Sequence, residues 1–183
     1  MKKIQLTDIK IGDVFKISDI EFIKFKEKDG STIAVAKNAL FRSTFGDTAN
    51  YNNSVIKQRL ERDVLPKIEK AVGAENIIEH DVDLISLDGD IKFGKAKCKI
   101  SLPTFDFYRA NVDIFDKYKG GCWWWLVTPF STSRHWSDDI VTCVSPRGRF
   151  IGDCYGGYGT RGVRPFIIFV SSISVISVSC EDD

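Results

Sequence analysis

Apolar and polar residues alternate in short runs at both ends of the chain, and this period of two predicts strands. The Asp-Gly turn at Asp29 and Gly30 lies between two such runs and predicts an antiparallel hairpin. Strands are predicted at residues 14–17, 21–26, 32–36, 82–87, 98–102, 123–127, 140–144, 163–170 and 173–178. Beyond residue 120 they are separated by long loops rich in glycine, serine and tyrosine.

Between residues 53 and 72 the apolar residues recur every four positions, which predicts an amphipathic helix. Its apolar stripe consists of Ile56, Leu60, Val64, Leu65, Ile68 and Val72. Capping residues at 52–54 begin this helix, and Gly73 ends it. Because Pro66 lies inside it, we expect a kink or two abutting helices, with Pro66 in the first turn of the second. A short helix is predicted at residues 104–110.

These elements predict an α+β fold with mainly antiparallel strands, because the helices come early and no β-α-β alternation follows. A chain of 183 residues suits a single domain, residues 1–183. Within it, residues 1–119 are a portion with helices and residues 120–183 a portion of strands and loops. Composition marks the same division, since every lysine lies at or before Lys119 and all four tryptophans follow it.

The balance of charge excludes functions that depend on bulk electrostatics. Lys and Arg number 26 against 25 Asp and Glu, so no nucleic-acid partner is predicted. The most apolar stretch, residues 166–178, is shorter than a bilayer requires, so no membrane span is predicted. No secretory signal peptide follows Met1, and we expect a soluble protein that is cytoplasmic or virion-associated.

Cysteine and histidine usage predicts free thiols and no bound metal. The five cysteines form no C-x-x-C pair, which is typical of a reducing compartment, so we expect the thiols to stay free. The two histidines, His80 and His135, are too few for a recognisable metal-ligand set. No metal and no cofactor are predicted.

Two motifs have the letters of catalytic or cofactor sites without their context. Residues 157–162 match G-x-G-x-x-G, but an extended, proline-blocked segment follows where a dinucleotide site needs a helix. Residues 152–156 resemble a cysteine version of the nucleophile elbow, again with no helix after it. A thiolate enzyme that pairs Cys154 or Cys143 with His135, or Cys154 with His80, remains an alternative.

The loops of the last third have the composition of a recognition surface. Residues 131–139, 145–149 and 153–161 combine Tyr, Trp, Arg, Ser, Gly and Asp and contain no lysine. Rigid aromatic rings provide contact area at low entropic cost, and arginine donates in a bidentate manner, whereas lysine is depleted from interface cores. Glycine-rich connections with incidental aromatic residues would have the same composition.

Two segments that flank these loops carry a resemblance to a known family. Residues 121–129, G-C-W-W-W-L-V-T-P, and residues 161–166, R-G-V-R-P-F, resemble the ends of a bacterial and phage domain family marked by W-W-L-x-[ST]-P and G-V-R-P. Residues 52–54 and 100–104 match it as well. The resemblance implies a C-type-lectin-like fold related to formylglycine-generating-enzyme-like proteins, and similarity to the variable target proteins of diversity-generating retroelements.

The resemblance also assigns roles to residues. The structural positions it implies are Trp123, Trp124, Trp125, Pro129, Gly162, Val163, Arg164 and Pro165. The ligand-binding positions it implies are Arg134, His135, Trp136, Asp138, Arg147, Arg149, Asp153, Tyr155, Tyr158 and Arg161. The Glu-Pro-Asn and Gln-Pro-Asp tripeptides of calcium-dependent lectins are absent from the sequence, and the paired cysteines of the formylglycine-generating enzymes are not identifiable.

Local geometry supports a structural role for both motifs. In a strand, Trp123 and Trp125 share one face and Trp124 takes the other, so both faces are at least partly covered. Arg164 precedes Pro165 and is therefore confined to extended backbone. A buried arginine at this position requires a carboxylate or carbonyl partner.

These observations favour a non-enzymatic module whose loops, residues 130–161, bind an unknown protein or glycan ligand on a cell or virion surface. A structural virion or assembly protein, whose loops contact sister subunits, is a second hypothesis, and a homo-oligomer is compatible with both. The third is the cysteine-dependent enzyme described above.

Overall fold

The computed structural model describes residues 3–178, apart from the side chains of residues 151–153. In this range the strands are β1 (Lys3–Gln5), β2 (Val14–Ile17), β3 (Ile20–Lys28), β4 (Ser31–Ala36), β5 (Phe41–Ser43), β6 (Ile77–Ile78), β7 (His80–Asp83), β8 (Lys95–Cys98), β9 (Ile100–Ser101), β10 (Trp124–Pro129), β11 (Ile140–Val144), β12 (Phe150–Tyr155), β13 (Arg161–Val163), β14 (Phe166–Val170) and β15 (Ser174–Val178). The helices are α1 (Val55–Arg59), a π-helical turn (Leu60–Val64), α2 (Leu65–Val72), α3 (Phe105–Ala110) and α4 (Val112–Lys117), with 3₁₀ turns at Leu6–Asp8, Tyr51–Asn53 and Ala74–Asn76.

The strands between residues 3 and 178 form two large sheets and one small sheet. The first sheet has the order β1-β15-β2-β3-β4-β14-β6, with β9 also paired to β14. The second has the order β12-β11-β10-β13-β5, and β7 pairs with β8. Every pair in this range is antiparallel except β10 with β13. The predicted α+β class with mainly antiparallel strands is confirmed, and both large sheets combine strands from the two portions of the chain.

Residues 55–72 form one helix of 18 residues, as the four-residue period predicts. Ser54 caps it, because its hydroxyl accepts the Lys57 N–H at 3.0 Å. Pro66 lies in the first turn of α2, directly after the π-helical turn. Since Pro66 has no N–H to donate, the wider turn before it accommodates the interrupted hydrogen-bond ladder. The helix ends at Gly73 with φ of 90°.

Several element boundaries differ from the prediction. The single strand predicted at residues 163–170 is divided into β13 and β14, because Pro165 cannot donate to a ladder. The strand predicted at residues 82–87 ends at Asp83, whose carboxylate accepts the Ile85 N–H at 3.1 Å and turns the chain. The short helix predicted at residues 104–110 is α3, whereas α4 was not predicted.

Strand β12 was also not predicted, and it changes the cysteine chemistry. Its glycine and aspartate are uncommon in strands, but pairing with β11 overrides this preference. The pairing brings Cys143 and Cys154 together with their Cα atoms 6.4 Å apart, and they form a disulfide. The prediction of free thiols is therefore wrong for these two. Cys98 and Cys122 are free, and Cys180 lies outside the described residues.

Strand β10 is buried along its whole length and contributes to two separate cores. Trp124 packs against α3 and α4, where its ring centroid lies 5.9 Å from that of Tyr108 and 5.4 Å from that of Phe115. Trp125 points into the other core, and its indole N–H donates to the Ser43 carbonyl at 2.9 Å. The opposite faces predicted for these tryptophans are confirmed.

The second motif lies beside this strand. Gly162 pairs with Trp124, and a Cβ at Gly162 would lie 2.7 Å from the Cβ of Ala39, so only glycine fits. Arg164 is buried, and its Nε donates to the Ala36 carbonyl at 2.9 Å, which is the kind of partner predicted for it. The remaining motif residues Pro129, Val163 and Pro165 are buried, and Trp123 is half-buried.

Replacing Trp125 by Phe tests the role of β10 in the core. The change removes the donor to the buried Ser43 carbonyl and leaves a cavity, so we expect the free energy of unfolding to fall by about 2–4 kcal/mol. Trp136→Phe, on an exposed loop, is the matched control and should change it by less than about 0.5 kcal/mol. Urea denaturation followed by circular dichroism measures both, and equal losses in the two variants would contradict this packing.

Candidate functional site

Three predicted site residues are exposed aromatic side chains at the same end of the β11–β12 hairpin. The exposed fraction is 63% for Trp136, 46% for Tyr155 and 76% for Tyr158. Tyr155 pairs with Ile140 where β12 ends and β11 begins. Trp136 lies in the loop before β11, and Tyr158 lies in the loop after β12. We call these three residues the aromatic surface.

Each ring of the aromatic surface has an aromatic neighbour in an edge-to-face arrangement. The centroid of Trp136 lies 6.1 Å from that of Phe130, and the centroids of Tyr155 and Tyr158 lie 6.3 Å apart. Such contacts favour one ring orientation, and between 46% and 76% of each side chain stays exposed. The orientations of these rings are therefore partly fixed by contacts within the chain.

Arg134 and His135 add polar groups next to this surface. Both side chains are exposed in the loop that carries Trp136. The N–H groups of His135 and Trp136 donate to the Thr132 carbonyl at 3.0 and 2.9 Å, which closes a tight turn. The turn fixes the backbone, and the two predicted site residues project from it.

The loop that contains this turn, residues 131–139, is held by carboxylates from residues 86–92. The Ser131 hydroxyl donates to Asp88 at 2.6 Å, and the Thr132 hydroxyl donates to Asp90. Both hydroxyl-bearing side chains are buried. Sequence reasoning missed these carboxylates, because more than 40 residues separate them from the loop and only the fold brings them together.

An ion pair closes the same loop on its outer side. The Lys92 ammonium donates to Asp138 at 2.5 Å and to the Ser133 hydroxyl at 2.7 Å. The second oxygen of Asp138 accepts the Ser133 N–H at 2.7 Å. Asp138, predicted as a ligand-binding residue, is thus engaged within the loop and positions the aromatic surface.

The hydrogen bonds and the ion pair in this loop lower the pKa of Asp90 and Asp138. The Thr132 hydroxyl lowers the pKa of Asp90 below its usual value. Burial raises the pKa of Asp138, but the Lys92 ammonium and the Ser133 groups lower it by more, so the net shift is downward. A lowered carboxylate pKa contributes stability above the unfolded-state pKa of about 4, and this contribution is lost on acidification through the folded-state pKa.

The second loop, residues 156–160, is anchored through Gly156. Its N–H donates to the Asp139 carbonyl at 2.7 Å, and its carbonyl accepts the Phe45 N–H at 2.9 Å. A Cβ at Gly156 would lie 2.9 Å from the Gly46 carbonyl oxygen, so a larger residue does not fit. The Arg42 guanidinium also donates to the Thr160 carbonyl at 3.0 Å.

Other predicted site residues lie elsewhere. Arg161 stacks over Trp125, with the guanidinium carbon 4.7 Å from the ring centroid, and so contributes to the core. Arg147 and Arg149 are exposed in the turn at the opposite end of the hairpin, about 15 Å away for strands of this length. The side chain of Asp153 lies outside the described part of the structure.

The geometry does not present the thiolate that the enzyme alternative requires. Cys143 and Cys154 are buried and joined to each other, so neither sulfur is a nucleophile while the bond is intact. Within residues 3–178 no group of three His, Cys, Asp or Glu side chains is placed to hold a metal ion. In the same range, every helix is too short or too polar to cross a bilayer.

A groove of about 290 Å³ lies away from the predicted site, between β7, β9, β14 and α3. His80 lies on its wall, with Nε2 at 3.1 Å from the Ser101 hydroxyl and Nδ1 at 3.4 Å from the Ile78 carbonyl. The imidazole packs edge-to-face on Phe166 at 5.2 Å. Burial lowers the pKa of His80, against smaller raising effects from the Ile78 carbonyl and nearby carboxylates.

No family model, no curated protein and no solved structure matches the chain. The candidate site is therefore defined by its own geometry. That geometry offers aromatic faces, guanidinium and imidazole donors and anchored backbone, which are groups suited to recognition of a partner surface.

Lys92→Met tests whether the ion pair holds the loop. Because the pair is partly exposed, the free energy of unfolding should change by less than about 1 kcal/mol. Trypsin cleavage after Arg134, measured by mass spectrometry under native conditions, should become several-fold faster. Lys70→Met, on the exposed face of α2, is the control; identical cleavage rates in both variants would contradict the anchoring role.

His80 gives a pH dependence whose sign follows from its environment. Its lowered folded-state pKa means that stability is greatest above the unfolded-state pKa of about 6.5 and is lost as the pH falls through the folded-state value. The free energy of unfolding should therefore decrease between about pH 7 and pH 5, the range in which histidine titrates. His80→Gln should flatten this dependence, and an unchanged slope in that variant would contradict it.

Proposed function

We propose that this protein is a non-enzymatic ligand-binding module, and that the aromatic surface with Arg134 and His135 is its binding site. The observation that carries the proposal is the exposure of three large aromatic rings at one end of the β11–β12 hairpin, where hydrogen bonds hold the backbone in place. Trp136 is 63% exposed and Tyr158 is 76% exposed, so neither side chain is part of the core. Clustered exposed aromatic residues mark interaction sites.

The ligand is a protein or glycan presented on a cell or virion surface. The net charge of +1 gives no long-range attraction to a highly charged polymer. Aromatic faces instead contact apolar patches and sugar rings, and the donors of Arg134 and His135 suit carbonyl, hydroxyl or carboxylate groups. Specificity then depends on short-range complementarity at the aromatic surface.

We further propose that the chain has a C-type-lectin-like fold, of the kind found in the variable target proteins of diversity-generating retroelements. The buried W-W-L and G-V-R-P motifs and the exposed residues between them support it, since one set builds the core and the other faces solvent. Because β11 is buried, variation would be accommodated at exposed loop positions near residues 133–138 and 155–160 rather than throughout residues 130–161.

The binding test replaces Trp136, Tyr155 and Tyr158 together by Ala. Fluorescently labelled protein is titrated onto a panel of intact bacterial cells and virions, and saturable binding of the unmodified chain identifies a target. The triple variant should lose at least about 10²-fold in affinity, because aromatic anchors dominate such interfaces. Its melting temperature should stay within a few degrees.

The double variant Arg147→Ala and Arg149→Ala is the matched control, since it changes exposed residues at the other end of the hairpin. It should bind within about twofold of the unmodified chain, as expected for surface changes outside a binding hot spot. Full binding by the triple variant would overturn the proposed site. Stable homo-oligomers that disappear in the triple variant during sedimentation would instead support the assembly hypothesis.

The encoding DNA tests the diversification proposal. We expect a near-identical template repeat beside a reverse-transcriptase gene, differing from codons 130–161 mainly at adenines. Sequencing the flanking DNA shows whether the repeat is present, and sequencing this gene from many members of the population shows whether the codons vary. A locus without such a repeat would leave a binding domain of fixed specificity.

A further inference from the structure

Arg164 is a buried cation without a carboxylate partner. Its exposed fraction is 1%, and among residues 3–178 no Asp or Glu forms an ion pair with it. Nε donates to the Ala36 carbonyl, but Nη2 has no hydrogen-bond partner in the protein. Burying an uncompensated charge is strongly unfavourable, so a negative charge close to this guanidinium would stabilise the folded state.

The aromatic residues around Arg164 compensate only part of this charge. The guanidinium carbon lies 4.8 Å from the ring centroid of Trp124 and 5.4 Å from that of Phe115. Cation–π contacts reduce the desolvation cost of the buried charge, but they supply no hydrogen-bond acceptor in the plane of the guanidinium. Burial lowers the pKa of Arg164 to about 10, so the group still carries its charge at neutral pH.

A small cavity adjoins this guanidinium, between α4 and the β10–β11 strands. Its lining comprises Tyr108, Phe115, Lys119, Gly120, Trp124, Val144, Ser145, Gly148 and Arg164. It is small, with room for one water molecule or one monatomic anion. The lining contains two cations and no carboxylate.

Arg164, Ser145 and Lys119 bring donor groups to the lining, whereas the Tyr108 hydroxyl donates to the Gly148 carbonyl at 2.6 Å. The Ser145 hydroxyl accepts the Arg149 N–H at 3.0 Å, which leaves its own proton to donate. The Lys119 ammonium adds a second positive charge and three donors. The carboxylate of Asp116 lies next to Gly148 but is not part of the cavity lining. A Cβ built on Gly148 would lie 2.5 Å from Asp116 Oδ1.

We propose that this cavity binds one small monovalent anion of chloride size, held by Arg164 Nη2, the Ser145 hydroxyl and the Lys119 ammonium. The size of the cavity excludes sulfate, phosphate and organic carboxylates. The donors, the absence of lining carboxylates and the unpartnered guanidinium nitrogen favour an anion over a neutral water. The anion neutralises Arg164 where β10, β11 and α4 meet, remote from the β11–β12 end that carries the aromatic surface.

The first measurement is thermal stability of the full chain in sodium chloride against sodium gluconate at equal ionic strength. An anion bound only to the folded state raises the melting temperature in a saturable manner. We expect that saturable rise in chloride and bromide, whereas gluconate and sulfate, which act by exclusion from the protein surface, should give only a rise that does not saturate. A rise in chloride that does not saturate, or one no different from that in gluconate, would overturn the proposal.

Two variants connect the effect to this cavity without removing the buried arginine. Gly120→Ala places a Cβ 3.7 Å from Arg164 Nη1, an ordinary contact that narrows the cavity. Lys119→Met removes an exposed charge at its edge. Lys119→Met should weaken the chloride midpoint by about threefold, as expected for the loss of an exposed charge, and Gly120→Ala should weaken it because the added methyl group leaves less space for the anion. Lys10→Met, an exposed control, should leave the midpoint unchanged; equal midpoints in all variants would contradict the site.

Bromide provides a direct readout in crystals of the unmodified chain. We expect an anomalous peak within hydrogen-bond distance of Arg164 Nη2 and the Ser145 hydroxyl. A water at that position in a bromide-soaked crystal, with no anomalous signal, would overturn the assignment.

Discussion

The burial of β10 on both faces is the constraint on which the rest of the structure depends. A strand that places Trp124 and Trp125 on opposite faces needs a separate core on each side. Helices α3 and α4 pack in the core on one face, the 55–72 helix packs in the core on the other, and the first sheet contributes buried residues to both cores. Truncating a buried aromatic side chain of this size typically costs about 3–5 kcal/mol, so both layers are needed for a stable fold.

The same constraint determines which side chains around the second sheet remain exposed. With both faces of the second sheet used for packing, exposed side chains remain at the strand ends, and the loops at the β11–β12 end carry Trp136 and Tyr158. Lys92 and the carboxylates of Asp88 and Asp90 fix the backbone of one loop, so its exposed side chains can differ with little effect on the core. The proposed site thus lies largely on loops, and residues outside those loops hold their backbones in place.

Local features of the fold could be predicted from sequence, and features that arise from distant pairing could not. The 55–72 helix, its Ser54 cap and the Asp29-Gly30 hairpin are determined by neighbouring residues. Strand β12, the Cys143–Cys154 disulfide and the anchoring of residues 131–139 by Asp88 depend on partners far along the chain. Composition located the exposed aromatic residues, but it grouped them with Arg147 and Arg149, which the hairpin places at its other end.

Native-state hydrogen exchange tests the central claim, that β10 is a rigid core strand packed on both faces and that the loops of residues 131–139 and 156–160 are anchored separately from it. The N–H groups of residues 124–127 should exchange only through global unfolding, with an opening free energy equal to that from denaturation. Those of residues 133–137 and 157–160 should exchange through smaller local openings. Fast local exchange in β10, or a single opening free energy shared by the strand and the loops, would contradict the account.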